Sequence, residues 1–447
     1  MRTVADYVQA ARTGGCEATL REVLDDIAER DKPLGCFTRI LGDAAIAGAT
    51  AVDARVKAGE TLGPLAGVPF AVKDLFDVAG LVTTAGAKSR LDAAPATVDA
   101  TAVARLRTAG AILVGTLNMD EYAYGFATVN AHFGTTRNPH DLERLAGGSS
   151  GGSGASVAAG MVPLTLGSDT NGSIRVPASL CGVWGMRPSR DDEGSVVPLD
   201  GVFPFVGSLD TIGPFARSCS DLKTAYEILS ATVVGVDERR VRAARLGGFF
   251  ERGASADAVA AVDTVMAAMS SDIRVDLPEA EAARSAAFLL TARQGGILHL
   301  DSLRERAMEY DPTVRDRLLA GAMLPEAIVS RAAGFAATWR RQVMATLDDY
   351  DILLAPSTPV TAPRIDEGTI VMDGKAVSAR ANLGIYAQAI GLAGPTIVSA
   401  PVVKKGLPIG VQFVAAPGRE AMLFSVLQRL EAMGVLGVAP LPEAKGA

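Results

Sequence analysis

An α/β fold is predicted for this chain, built as one sheet-and-helix unit that carries a helix-rich insertion. Three observations predict it. Short apolar runs of strand length alternate with amphipathic helical patterns over the first 220 or so residues. From about 219 to 348 the texture changes to Ala, Arg, Glu and Leu with few Gly, and helical patterns follow one another. Although 447 residues exceed what one small domain needs, there is no linker rich in Pro, Gly and charge and no repeat of 20–50 residues, so the chain reads as one unit.

Between residues 3 and 30, Val4, Tyr7, Val8, Ala11, Leu20, Val23, Leu24 and Ile27 recur at helical spacing with a break at Gly14-Gly15, which predicts two amphipathic helices. "FTRIL" (37–41) reads as a short strand and residues 43–58 as an Ala-rich helix. "PLAGVPFAVKDLFDVAG" (64–80) opens on Gly and Pro, then gives an apolar run that fits a buried strand ending at Lys73. Residues 99–125 read as a helix, a Gly break and the buried strand "AILVGTLN". A Gly/Ser loop at 145–154 leads into a helix reaching about 160, followed by the strand "VPLTLGSD" (162–169), a second glycine loop "TNGSIRVPAS" (170–179) and the short strand "GVWGMRPS" (182–189). Beyond the helical stretch, "VRAARLGGFF" (241–250) and "DYDILLAPSTP" (349–359) read as strands. A late strand pair at 394–416 and a helix over "EAMLFSVLQRLEAM" close the chain, and the tail "LPEAKGA" reads as frayed.

Apolar residues make up 49% and charged residues 21%, enough to bury a large core. A formal net charge of −7 argues against nonspecific binding to nucleic acid or acidic membranes. Cys16, Cys36, Cys181 and Cys219 show neither a CxxC pair nor metal-ligand spacing and read as reduced thiols. No apolar run is long enough for a membrane span, and the N-terminus lacks the core of a signal peptide. The expectation is an acidic cytoplasmic protein that needs no metal or cofactor and binds neither nucleic acid directly nor membrane.

"LAGGSSGGSGASVAAG" (145–160) carries the chemistry. As a phosphate cradle it fails, because it lacks the lysine of G-x-x-x-x-G-K-[ST] and puts Val157 where G-x-G-x-x-G needs Gly. As a G-x-S-x-G elbow it would make Ser150 the nucleophile. Only His299 among the three histidines lies downstream, and Asp301 follows it, which reverses the order of an elbow triad. The third reading uses no histidine: a buried lysine kept neutral can deprotonate a serine, and Lys73 at the end of "GVPFAVK" can be buried. An ordinary strand-end lysine paired with Asp74 explains the same residue. Ser173, after Asn171-Gly172, sits in a turn whose N–H groups can converge on one oxygen, or it is a helix N-cap.

Together these segments resemble the amidase signature hydrolases. "GGSSGGS" followed by "GSDTNGSIRVPASLCGVWG" carries the likeness, with "PLAGVPFAVKDLFDVAG", "RNPHD" and the terminal "GLPIGVQFVAAP", so that it spans nearly the whole chain. The resemblance implies an α/β/α sandwich with a mixed, twisted central sheet covered by helices. It implies a single domain over 1–447, with a signature core at 60–218, the helix-rich insertion at 219–348, and a return to the sheet with a closing helix at 349–440. Carried over by position, it makes Ser173 the acylated nucleophile, Ser149 the bridging serine on a cis peptide, and Lys73 the base. The backbone N–H groups of Thr170, Asn171, Gly172 and Ser173 become the oxyanion donors. A neutral Lys73 then implies activity that falls as pH drops.

Two departures from the family pattern stand out: "DTNGS" for the usual "DTGGS", and a longer "RPSRDDEGSVVPLDGVFPF" (187–205). Within the family, "LNMDEYAYGF", "SDTNGSIRVPASLCGVWG" and "GGILHLDSLR" look most like the branch that converts 1-carboxybiuret to urea-1,3-dicarboxylate and ammonia. Such a small, planar, anionic substrate calls for a polar pocket with a cation. Arg293, Gln294, His299 and Arg304 are candidates if their helix caps the site, although an exposed helix face explains them equally. Tyr124, Thr128 and Asn171 are alternative contacts. The rival readings are the glutaminase component of a tRNA-dependent amidotransferase, a broad-specificity amidase, and an inactive scaffold binding a small partner. A homodimer, and a small helical accessory chain of the kind some relatives bind, are compatible with the resemblance.

Overall fold

In the computed structural model, which describes residues 2–442, eleven strands form one mixed sheet. Across it lie Phe37–Ile40, Ile112–Leu117, Pro69–Lys73, Leu164–Ser168, Ile212–Ala216, Trp184–Arg187, Thr396–Pro401, Gly410–Ala415, Ile352–Pro356, Ala243–Leu246 and Arg274–Val275. Pro69–Lys73 runs parallel to both its neighbours, as does Ala243–Leu246 to its two, and the other pairs are antiparallel. The central strands are buried at every residue, and the few polar side chains they carry, such as Lys73, Thr165, Ser399 and Gln412, are buried with them.

Helices pack along the sheet and share one hydrophobic core that extends from Val4 to Leu436. The two N-terminal helices form where the periodicity places them, Val4–Arg12 and Cys16–Leu34; Thr3 and Asp6 cap the first reciprocally. The stretch 219–348 is not purely helical. It contributes Ala243–Leu246 and Arg274–Val275 to the sheet edge, beside helices Cys219–Ser230, Ala256–Ala268, Ala280–Arg306, Pro312–Ala322 and Glu326–Asp349. Ala280–Arg306 is the longest helix described, at 27 residues, and packs on the two that follow it and on Ile385–Leu392.

The expected loop at 170–179 is helical from Arg175 to Cys181. Pro177 sits in its first turn, where a missing N–H costs nothing, and Gly182 ends it at φ +67°. The expected strand at 241–250 stops at Leu246. A hairpin, Thr369–Met372 with Lys375–Ser378, turns at Asp373-Gly374 with positive φ at both residues. No single described helix is long and apolar enough to cross a membrane. Most of the tail expected to fray, 443–447, lies outside the described residues.

Candidate active site

Lys73 ends the Pro69–Lys73 strand and is fully buried. Its Nζ donates to Ser149 Oγ at 2.6 Å and to Ser168 Oγ, at the end of the neighbouring parallel strand, at 2.8 Å. Burial pushes its ammonium down to about 7, against the opposite pull of Asp120, Asp169 and Asp210. Amine and ammonium are therefore both populated near neutral pH.

Ser149 follows a cis Gly148–Ser149 peptide bond and is buried. The Ser150 hydroxyl donates instead to Ser168 O at 3.2 Å, and Ser150 N–H donates to Ser173 O at 3.3 Å, so Ser149 is the member of the pair that meets the lysine. The segment is clamped from the 118–130 loop. Asp120 N–H donates to Ser149 O at 3.2 Å, and the Asp120 carboxylate accepts from Ala127 N–H and Thr128 N–H. A Cβ at Gly152 would meet the Asn118 carbonyl at 2.7 Å, so glycine there sets how closely the two segments approach. The clamping loop holds Tyr122, Ala123 and Thr128 at positive φ, a backbone strain that buried surroundings must support.

The 169–175 turn is organised by Asp169. This buried carboxylate accepts from Gly172 N–H at 2.8 Å and Ile174 N–H at 3.2 Å, and from the Nε and Nη2 of buried Arg175 at 2.9 Å each. Burial alone would raise the Asp169 pKa, but Arg175 and Arg187 hold it far below the usual carboxylate range. Arg187 is buried on the opposite flank and donates to Thr211 Oγ1 at 2.7 Å; burial lowers it to about 10. Thr170 Oγ1 donates to buried Asp210 at 2.6 Å. Because Gly172 N–H is spent on Asp169, it is not free to meet an oxyanion, which corrects the expected set of four donors. The N–H groups of Thr170, Asn171 and Ser173 have no acceptor among the described residues.

Ser173 opens onto a narrow cleft lined also by Ala123, Tyr124, Gly125, Phe126, Thr170, Asn171, Phe205, Phe288, Thr291, Arg317, Arg380 and Gln388. Among the expected contacts, Tyr124 and Asn171 line this cleft, and Asn171 Nδ2 donates to Thr291 Oγ1 at 2.8 Å. Thr128 does not; it is buried and accepts Gly151 N–H at 3.0 Å. The other four sit on Ala280–Arg306, a helix about 40 Å long at 1.5 Å per residue, of which only the turn at Phe288 and Thr291 reaches the cleft.

Arg293 turns to Ala322 O at 2.7 Å, and Gln294 to Ser208 beside a separate surface cavity. His299 is buried against Tyr122, with ring centroids 4.1 Å apart, and near Phe203 and Tyr310; burial pushes it down to about 4. Arg304 is exposed and pairs with Asp301. The cations that do reach the cleft are Arg317 and Arg380. No cluster of three or more His, Cys, Asp or Glu side chains able to hold a metal occurs among the described residues.

Sequence reasoning assigned no role to Ser168, Asp169, Arg175, Arg187 and Asp210. A signal existed for some of them: acids and arginines inside otherwise apolar or Gly-rich strand ends imply buried pairs.

The sequence model of the amidase family matches residues 18–424. AtzE, a component of the 1-carboxybiuret hydrolase of Pseudomonas sp. (strain ADP), is 43% identical, over 97% of this chain and 99% of that protein. A glutamyl-tRNA(Gln) amidotransferase component from Acidothermus cellulolyticus is 35% identical, over 95% of this chain and 92% of that protein. Among solved structures, an s-triazine catabolic enzyme described with an unexpected vestigial protein complex superposes with a TM-score of 0.93 at 41% identity, covering 98% of this chain and all of that one. A crystal structure of an amidase gives 0.90 at 31%, with the same coverage. The chain belongs to the amidase signature family and is a hydrolase of amide bonds.

Proposed function

We propose that this protein hydrolyses 1-carboxybiuret to urea-1,3-dicarboxylate and ammonia through an acyl-enzyme on Ser173. The observation that carries the mechanism is the buried Lys73, hydrogen-bonded to Ser149 and poised near neutrality. In its amine form Lys73 takes the Ser149 proton while Ser149 takes that of Ser173, whose Oγ attacks the terminal carbonyl. The N–H groups of Thr170, Asn171 and Ser173 meet the oxygen that becomes negative. The proton returns through Ser149 to the departing nitrogen, ammonia leaves, and water cleaves the carbamate ester by the same relay.

The substrate assignment rests on the 43% identical relative and on a small cleft that holds two arginines. The test is ammonia release by the purified protein from 1-carboxybiuret, biuret and glutamine, side by side. Preference for 1-carboxybiuret, abolished in Ser173→Ala, is the expected result; preference for glutamine would overturn the assignment. That outcome would favour the glutaminase reading, which the 35% identical relative keeps in view. The first relative is one component of its hydrolase and the superposed enzyme is described with a complex, so co-purification is the check for an accessory chain.

A further inference from the structure

We infer that the Nε–Nη2 edge of Arg380 binds the substrate carboxylate, and that Asn171 Oδ1 accepts an N–H of the same molecule. This rests on the carboxylated substrate proposed above and names how that substrate is read. Among the residues that line the cleft, four buried polar atoms have no hydrogen-bond partner: Arg380 Nε, Arg380 Nη2, Asn171 Oδ1 and Tyr124 Oη. Leaving such atoms unmet is costly, so a ligand that meets them gains disproportionately.

The two cleft arginines are not equivalent. Arg317 is committed to Tyr124: its guanidinium lies 3.7 Å from the ring centroid and Nη1 donates to Tyr124 O at 3.1 Å. Arg380 is held from behind, where Nη1 donates to Asp311 Oδ2 at 3.3 Å. Asp120 Oδ1 comes no nearer than 3.6 Å to Nη2, and the other oxygen of Asp120 is occupied by two backbone N–H groups. The Nε–Nη2 edge makes no hydrogen bond, although Asp120 Oδ1, 3.6 Å from Nη2, is likewise without a partner. That edge is the pair of donors that a carboxylate bridges with two parallel bonds. Asp120 and Asp311 offset Arg317 and Arg380 in charge, so it is these directed bonds, rather than a general positive field, that select the anion.

A carboxylate pinned at Arg380 fixes which carbonyl Ser173 reaches. In 1-carboxybiuret three atoms (N, C, N) separate the carboxylate carbon from the terminal amide carbon. Pinning one end presents the terminal amide for attack, which matches release of ammonia and not cleavage beside the carboxylate. Glutaramate has the same three-atom spacing and is chemically stable, and glutaramide is its uncharged counterpart.

Hydrolysis, or competitive inhibition, by glutaramate and glutaramide is compared for the wild type, Arg380→Gln, Arg380→Lys and Arg317→Gln, with thermal melts of each. The expected result is a wild-type preference for glutaramate that falls by about 10- to 100-fold in Arg380→Gln, mainly through KM, and is partly restored in Arg380→Lys. No wild-type preference, an undiminished preference in Arg380→Gln, or its loss only in Arg317→Gln would overturn the inference. If the preference depends on Arg380 while 1-carboxybiuret is not turned over, the substrate proposal fails and the carboxylate site stands. If 1-carboxybiuret is turned over equally well by Arg380→Gln, the reverse holds.

Discussion

Replacing Lys73 with Met removes the proposed base while nearly conserving its length and volume, and it tests the electrostatics of the site twice. The Lys73 pKa falls from the ordinary 10.5 to about 7 because the side chain is fully buried. The native state therefore binds fewer protons than the unfolded chain between those values. Wild-type stability is then lost as pH falls from about 10 to about 7, and stays level below that. A gap of about 3.5 pH units corresponds to roughly 5 kcal/mol. Met escapes that cost but gives up the hydrogen bonds to Ser149 and Ser168, together worth about 1–3 kcal/mol.

Lys73→Met should therefore be inactive, yet more stable than the wild type by about 2–4 kcal/mol at pH 6, with the order reversed near pH 10. Equilibrium urea unfolding at both pH values reads this directly. The same pKa makes wild-type ammonia release about tenfold slower at pH 6 than at pH 8, as the amine fraction falls. A variant less stable than wild type at pH 6, or a flat rate between pH 6 and 8, would refute the reasoning.

Asp169→Asn should cost about 3–5 kcal/mol in equilibrium unfolding, because it leaves Arg175 and Arg187 buried without their counter-charge. Gly172→Ala places a Cβ 2.6 Å from that of Ala387 at φ +128°, and should cut ammonia release about 100-fold by displacing the turn while circular dichroism stays native. Ser168→Ala should lower kcat about tenfold with KM unchanged, since it loosens Lys73 and touches no substrate. His299→Phe keeps the aromatic packing and should leave KM within about twofold; a large rise would return His299 to the substrate.

The sheet was legible at Pro69–Lys73, Ile112–Leu117 and Leu164–Ser168, which are buried at every residue and rich in apolar side chains. Ile212–Ala216, equally buried, went unread because Gly213 and Pro214 interrupt its apolar run. The helix Arg175–Cys181 was not legible either, since Val, Pro and Ser are weak helix formers. Its start is supported from outside the helix, by Asp169 accepting Ile174 N–H. The hairpin at 369–378 went unread despite its Asp-Gly turn, and Ile385–Leu392 lacks an amphipathic stripe because it is buried all round. The residues at Ser149 and Ser173 could be located from a long local pattern. Arg317 and Arg380 could not, because their neighbours in sequence differ in nothing from an ordinary helix surface, and only tertiary packing brings them to the cleft. The same blindness made Arg293 and Arg304 attractive: spacing along a helix does not say which turn faces a cavity.

The separation of these groups along the chain has a practical side. Lys73, Ser149, Ser168 and Ser173 belong to the sheet and its adjoining loops, whereas Phe288, Thr291, Arg317, Arg380 and Gln388 reach the cleft from segments much later in sequence. On the proposed mechanism, part of what is recognised is thus written apart from the relay, while Tyr124 and Asn171 line the cleft from the same stretch as the serines. Gene libraries confined to the later stretch can explore new amides while the proposed proton relay stays intact, which makes this chain a starting point for directed changes of specificity.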